Sequence, residues 1–303
     1  MEQFMILTAR NSKVYFRDRG AIFFSLLSAL IVIGLMVFFL GDMNIDGVVE
    51  LLDTYAHNGH EENQKNAELL VLAWTCAGLL SINAVTVSLA VYSIMIKDRV
   101  NGTLNAIFTA PISRLKITLS YIASAWIAAV IMCTLTLGIT EAYGILSGME
   151  AYTWAEHMIL FAMIMINSFV YAALMYPLAM LAKTEGAWSG FGTVIGTLVG
   201  FLGGIYIPIG SLADSISDLM KCTPIIYGTS MFRKVMTKSI METTFVGAPG
   251  EVVEMYREIM GIELTVADYT LKLRDEWLIL LACGIIFLVI GMCMLKYQKK
   301  TDR

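Results

Sequence analysis

An all-α integral membrane protein with six transmembrane helices is the fold class this sequence predicts. Three observations carry that expectation: long apolar runs nearly free of charge, a mean hydropathy of +0.71 with 15% charged residues, and basic residues gathered in alternate connections between the runs. Ten-residue stretches of alternating apolar and polar residues are absent, so helices rather than barrel strands are the expected spanning form. No 100-residue stretch lacks a long apolar run, and residues 1–303 are expected to form one membrane domain.

In chain order, residues 1–19 carry Arg10, Lys13, Arg17 and Arg19 ahead of the first apolar run. That run resembles the core of a signal peptide, but FFLGDMN offers no small-x-small cleavage site, so a retained span is expected. Six runs, near 21–40, 69–96, 117–147, 157–182, 187–207 and 277–295, are long enough for a bilayer core of about 30 Å, which needs roughly 20 helical residues. Lys97, Arg99, Arg114 and Lys116 follow the second run, Lys183 the fourth, and Lys296, Lys299, Lys300 and Arg303 the sixth. The intervening connection 41–68 holds seven acids against Lys65, and 148–156 holds Glu150 and Glu156 without a cation. Both termini are therefore expected in the cytoplasm. Trp74, Trp154, Trp188 and Trp277 near the run ends fit an aromatic belt, with Trp126 the exception.

The connection 208–276 is expected outside, as a re-entrant or interfacial helical hairpin followed by a small cap. Its first part is too broken by Pro208, Gly210, Pro224 and Gly228 to span and too apolar for a free loop. Val252, Tyr256, Ile259 and Met260 then recur on one helical face. Residues 277–295 form the sixth span and 296–303 a cytoplasmic tail.

Several chemistries find little support. The net charge of −4 does not suggest a nucleic-acid partner. Of five cysteines, all but Cys222 lie in apolar runs and none forms a CxxC pair, so neither a disulfide framework nor a zinc site is expected. His57 and His60 with Glu61 and Glu62 make HNGHEE, which is read as a solvated loop rather than a metal site. No Ser/His/Asp or Cys/His set falls on one side of the membrane. No G-x-x-x-x-G-K-[ST] loop occurs, and GFGTVIG at 190–196 opens an apolar span without a nearby lysine. Asn101-Gly102-Thr103 matches a glycosylation sequon but is expected to face the cytoplasm.

The segment KDRVNGTLNAIFTAPISRLK at 97–116 is the most distinctive. Val100, Leu104, Ile107 and Phe108 are spaced as one apolar helical face over 97–110, and Pro111 is expected to end the helix near Ala110. On these residues alone, a helix resting on anionic lipid and a helix docking to a cytoplasmic partner both remain open.

The segment resembles the signature between the second and third spans of type-2 ATP-binding-cassette exporter permeases. Asp98-Arg99, Gly102-Thr103-Leu104 and Thr109-Ala110-Pro111-Ile112-Ser113-Arg114 carry the likeness. Gly204-Ile205-Tyr206-Ile207-Pro208, Pro224-Ile225-Ile226-Tyr227 and Arg233 continue it in the outer hairpin. The resemblance implies that 97–110 is a coupling helix seated on a separate ATPase subunit, which would bind the ATP and magnesium. It likewise implies that 1–19, with Phe4, Leu7 and Val14, is an amphipathic helix along the inner leaflet. Two permeases, identical or similar, would pair in a bacterial plasma membrane and export an amphipathic or hydrophobic cargo such as a drug, peptide or lipid-like molecule. A lipid-linked glycan or cell-wall polymer is the alternative cargo. A secondary transporter or membrane-embedded enzyme is the alternative of another class.

Three further sets complete the candidates. Gly192, Gly196, Gly200 and Gly204 recur every fourth residue, which suits close helix packing inside one chain, contact with a second permease, or a pathway wall. Glu141 is the one carboxylate well inside an apolar run, placed either at the outer headgroups or at a pathway mouth. Asn83 and Asn167 are expected to hydrogen-bond between helices.

Overall fold

The computed structural model of the protein describes residues 1–35, 41–56 and 58–301. The end of the first expected span at 36–40, His57 and residues 302–303 lie outside the described residues, as do the side chains of Phe108, Lys296, Lys299 and Lys300.

The described residues run α1 (Glu2–Arg17), α2 (Arg19–Leu35), α3 (Gly41–Tyr55), α4 (His60–Val100), α5 (Thr103–Thr109), α6 (Arg114–Leu146), α7 (Trp154–Leu181) and α8 (Glu185–Leu202). After a 3-10 turn at Ile209–Ser211 come α9 (Asp214–Lys221), α10 (Pro224–Met236), α11 (Lys238–Thr244), α12 (Gly250–Ile259), an antiparallel hairpin of β1 (Thr265–Val266) and β2 (Tyr269–Thr270), and α13 (Leu273–Thr301). Among the described residues, α4, α6, α7 and α13 are long and apolar enough to cross a membrane. They fall on four of the six expected spans. The other two fall on α2, described over Arg19–Leu35, and on α8, of 18 residues. α8 stops at Leu202, short of the expected 207, because Gly203 and Gly204 turn the chain, Gly204 with φ +61°.

α4 is the axis of the bundle. Its most apolar stretch is 83% buried against 17% for that of α13, so α4 is enclosed while α13 presents most of its surface outward. It packs against α6, α7, α8, α10 and α3, and accordingly has no single apolar stripe. Small side chains let these helices approach: Ala77, Ser81, Ala84 and Ser88 on α4, and Ser120, Ser124, Ala125 and Ala128 on α6, are buried. Asn83 donates to Thr136 Oγ1 at 2.6 Å and to the Met132 carbonyl at 3.3 Å, the interhelical bonding expected of it. Asn167 instead packs against Gly228 of α10, with neither amide atom hydrogen-bonded.

Three expectations need correction. The acidic connection 41–68 is helical: α3 and the first turns of α4 form a hairpin, with Val48 and Leu52 buried and Ile45 and Val49 packed beside them. α4 is therefore 41 residues long, roughly 60 Å at 1.5 Å per residue, and extends well beyond a bilayer core. Trp74 and Trp188 are not belt residues, being buried and donating to the carbonyls of Met260 (2.7 Å) and Leu89 (3.1 Å). Of the face read at 252–260, Tyr256 in α12 and Met260 just after it are buried, but Ile259 is 37% exposed.

The 208–276 connection folds as helices. α10 is too short to span and is buried among α4, α7, α8 and α13, so its backbone polar groups are shielded by protein.

Candidate functional site

The 97–116 segment is built from two chain breaks. Gly102 has φ +74°, the left-handed conformation that ends α4 and that a side chain disfavours. Its N–H bonds to the Arg99 carbonyl at 3.2 Å, and its own carbonyl accepts from Asn105 (3.1 Å) and Ala106 (3.2 Å) to start α5. At the other end Ala110 is extended, as a residue before proline must be, and α5 stops at Thr109. Ser113 then caps α6, its hydroxyl accepting from the Lys116 N–H at 3.3 Å.

The break at Gly102 divides the apolar face read from the sequence. Leu104 is buried and Ile107 half-buried against the bundle, whereas Val100, on the far side of the break, is 51% exposed. The expectation of one helix over 97–110 is thus corrected to the end of α4, a turn, and the seven residues of α5. Thr103, Asn105, Ala106 and Thr109 form the exposed face of α5, with Pro111 exposed beyond it.

Asp98 and Arg99 turn inward. Asp98 accepts both terminal nitrogens of Arg10 in α1, one at 2.8 Å, and the Tyr121 hydroxyl of α6 at 2.6 Å. The hydrogen bond to Asp98 raises the Arg10 guanidinium above its ordinary pKa, against partial burial. Arg99 donates to the carbonyls of Ala182 (2.6 Å), Met180 (3.2 Å) and Ala179 (3.5 Å), at the C-terminal end of α7, where the helix dipole favours a cation. Gln3 joins α1 to the turn, donating to the Pro111 carbonyl at 3.4 Å and accepting from Lys116 Nζ at 3.1 Å. Arg114, half-buried, opens α6. The result is a short helix on a rigid mount: α1, α4, α6 and α7 are all pinned beside it.

Beside this mount, α2, α4 and α8 border an open cleft of about 880 Å³ whose lining includes Phe24, Thr86, Leu89, Trp188, Gly192 and Thr193. Lys97 of α4 and Glu185 of α8 also line it. The glycine series does not act as one surface. Gly192 and Gly196 face open space, Gly200 lies against the Tyr206 ring, and Gly204 forms the turn after α8.

The outer-hairpin residues make a second pinned region. Pro208 leads into the 3-10 turn, Pro224 occupies the first turn of α10, and the Tyr227 hydroxyl donates to the Lys221 carbonyl of α9 at 2.6 Å. Arg233 is fully buried over the Trp74 ring, 4.0 Å from its centroid. It donates to the carbonyls of Gly204 (2.9 Å) and Met260 (3.1 Å), both at helix C-terminal ends, whose negative dipoles favour a cation. Burial lowers this guanidinium to about 9, so it stays cationic near neutral pH.

Glu141, in the last turns of α6, accepts from the Tyr152 N–H at 3.1 Å and faces His157 at 2.9 Å. His60 meets Asp53 at 2.6 Å, where Asn63 also donates at 2.8 Å. Sequence reasoning missed Arg10 and Tyr121 as partners of Asp98, and missed the buried pair of Glu276 with Lys234 (2.8 Å). Only the inward-facing charge of Glu276, at the start of an apolar run, could have drawn attention to it.

Four apolar helices long enough to span, packed around a buried axial helix, define a multi-pass membrane protein. A family model described as ABC-2 family transporter protein matches residues 49–293. The chain belongs to that family and is the transmembrane component of an ABC transporter, not its ATPase; the family implies association with an ABC ATPase subunit. No curated protein matches the chain at a significant level.

Proposed function

We propose that this chain is the permease subunit of an ATP-driven exporter, with α5 as the helix that a separate ATPase subunit engages. The carrying observation is the mount. α5 offers a solvent-facing surface of Thr103, Asn105, Ala106 and Thr109, while Asp98 and Arg99 lock its base to α1, α6 and α7. A push on α5 would then move several helices together rather than bend one. ATP and magnesium belong to the ATPase.

The reading includes six spans, with the sequence near 21–40 and 187–207 completing the four helices named above, and both termini in the cytoplasm of a bacterial plasma membrane. A second permease, identical or similar, would complete the assembly. The cleft between α2, α4 and α8 supports an amphipathic cargo, since aromatic, aliphatic and hydroxyl side chains line it together with one cation, Lys97, and one acid, Glu185.

The test is purification from the native membrane in mild detergent. An ABC ATPase is expected to accompany the wild-type chain and to be lost from Ala106→Glu/Thr109→Glu, whose thermal midpoint should match wild type because both positions are exposed. Leu104 is unsuitable for this purpose, because its burial would confuse undocking with unfolding. An ATPase that stays bound to the double variant, or a chain isolated alone from membranes lacking ATP-dependent transport, would refute the proposal.

A further inference from the structure

At the end of the bundle away from α5, one histidine is placed so that both ring nitrogens face oxygen. His157 Nε2 is 2.9 Å from Glu141 Oε2, and His157 Nδ1 is 3.1 Å from the Thr153 backbone carbonyl. A neutral imidazole has one N–H and can donate to only one of these; the imidazolium donates to both. The carbonyl has no proton to offer. The Glu141 carboxylate already accepts the Tyr152 N–H, so the proton that joins the pair is the ring's.

We propose that His157, Glu141 and the Thr153 carbonyl form a one-proton latch that closes the α6–α7 connection and makes this end of the protein respond to pH. The same carboxylate accepts the Tyr152 N–H through Oε1, so one acid fixes both the connection and the first turn of α7. The Tyr152 ring stands edge-on to the imidazole at 6.1 Å, and its hydroxyl reaches the Met236 carbonyl at the end of α10 at 3.5 Å. The connection therefore touches α10 as well as the two helices it joins.

The charged and titratable groups around the ring come from each neighbouring element. Glu141 comes from α6 and Tyr152 from the connection. Glu156 of α7 is committed to the Thr153 cap, where its carboxylate accepts the Thr153 N–H at 2.8 Å. Lys65 of α4 lies beside the connection at Gly148. The His157 side chain is 37% exposed, so solvent protons reach it. With the ring protonated, both hydrogen bonds form. As pH rises through the imidazole titration, one is lost, and with it the charge that faces Glu141.

The inference does not depend on the ATPase reading and is tested apart from it. The sequence has three histidines, so His57→Gln/His60→Gln leaves His157 as the single reporter. In that variant of the chain, reconstituted in lipid nanodiscs and labelled with 15N-histidine, both ring nitrogens are expected to be protonated at about pH 6 and one at about pH 8. Exchange of the Tyr152 amide, corrected for its intrinsic rate, should quicken roughly tenfold between those conditions, because the imidazolium that holds the Glu141 carboxylate in place for the Tyr152 N–H is lost. Glu141→Gln, which keeps the shape and removes the charge, should reduce the doubly protonated fraction at about pH 6.5. A ring with a single protonated nitrogen at the lower pH, or Tyr152 protection that does not change with pH, overturns the proposal.

Discussion

Asp98 shows how a charged residue can be conspicuous in sequence and still face the opposite way from its expected role. Read beside Arg99 it marks a docking surface; in the fold it is 6% exposed, bound by Arg10 and Tyr121. Asp98→Asn would leave Arg10 without its anion. Removing one partner of a buried pair costs several kcal/mol, but the Arg10 side chain is 35% exposed and water replaces part of the lost interaction. A loss of about 1–2 kcal/mol is expected, read as a lower thermal midpoint in detergent, with faster proteolysis of α1. Tyr121→Phe should act in the same direction and more weakly, since it removes one hydrogen bond and no charge. A midpoint unchanged in both variants would show that α1 is held by other contacts. Neither pairing was legible in the sequence. Arg10 was visible as one of several basic residues before the first apolar run, but 88 residues separate it from Asp98 and no local pattern links them. The same holds for Arg99, whose partners are backbone carbonyls and so leave no trace in side-chain identity.

Elements were more legible than contacts, because hydropathy and breakers act locally. Four long apolar runs became four long helices, and Pro111 ended α5 by the steric rule expected of it. What the pattern concealed was the break at Gly102. Glycine is tolerated inside a helix, so Val100 and Leu104 could be read as one face, whereas a φ of +74° places them on separate elements. The acidic segment 41–68 hid a helix for a related reason: its charges suggested a loop, while Ile45, Val48, Val49 and Leu52 already carried helical spacing. Gly102→Ala tests the break. A side chain in the left-handed region costs roughly 1–2 kcal/mol, so the variant should be less stable even though no atom lies within 4 Å of the added methyl. If α5 transmits motion, ATP hydrolysis should persist in the variant assembly while transport per ATP falls. A variant as stable as wild type would mean that the turn adapts without left-handed geometry.

For the whole molecule, the open question is what covers α8. Inside the chain this helix packs chiefly on α4, and Val194, Leu198 and Phe201 remain about half exposed. Close packing within one chain, the reading that the fourfold glycine spacing first suggests, holds for Gly200 but not for Gly192 or Gly196, beside which a new methyl would meet nothing within 4 Å. Lipid alone would make no use of glycine there, since glycine destabilises a helix interior by about 1 kcal/mol relative to alanine. A second permease whose backbone approaches closely would use it. Gly192→Leu/Gly196→Leu separates these cases because a Cβ added at either position meets nothing within 4 Å in the single chain. The folded monomer should be as stable as wild type or slightly more so, while the particle mass in detergent falls from two permeases to one and transport is lost. If the doubly substituted protein keeps its mass, no second permease is seated on these glycines of α8. The outcome also bears on the cleft beside α8, which Gly192 lines: a partner seated on that helix would close the cleft's open side and turn a surface groove into an enclosed path.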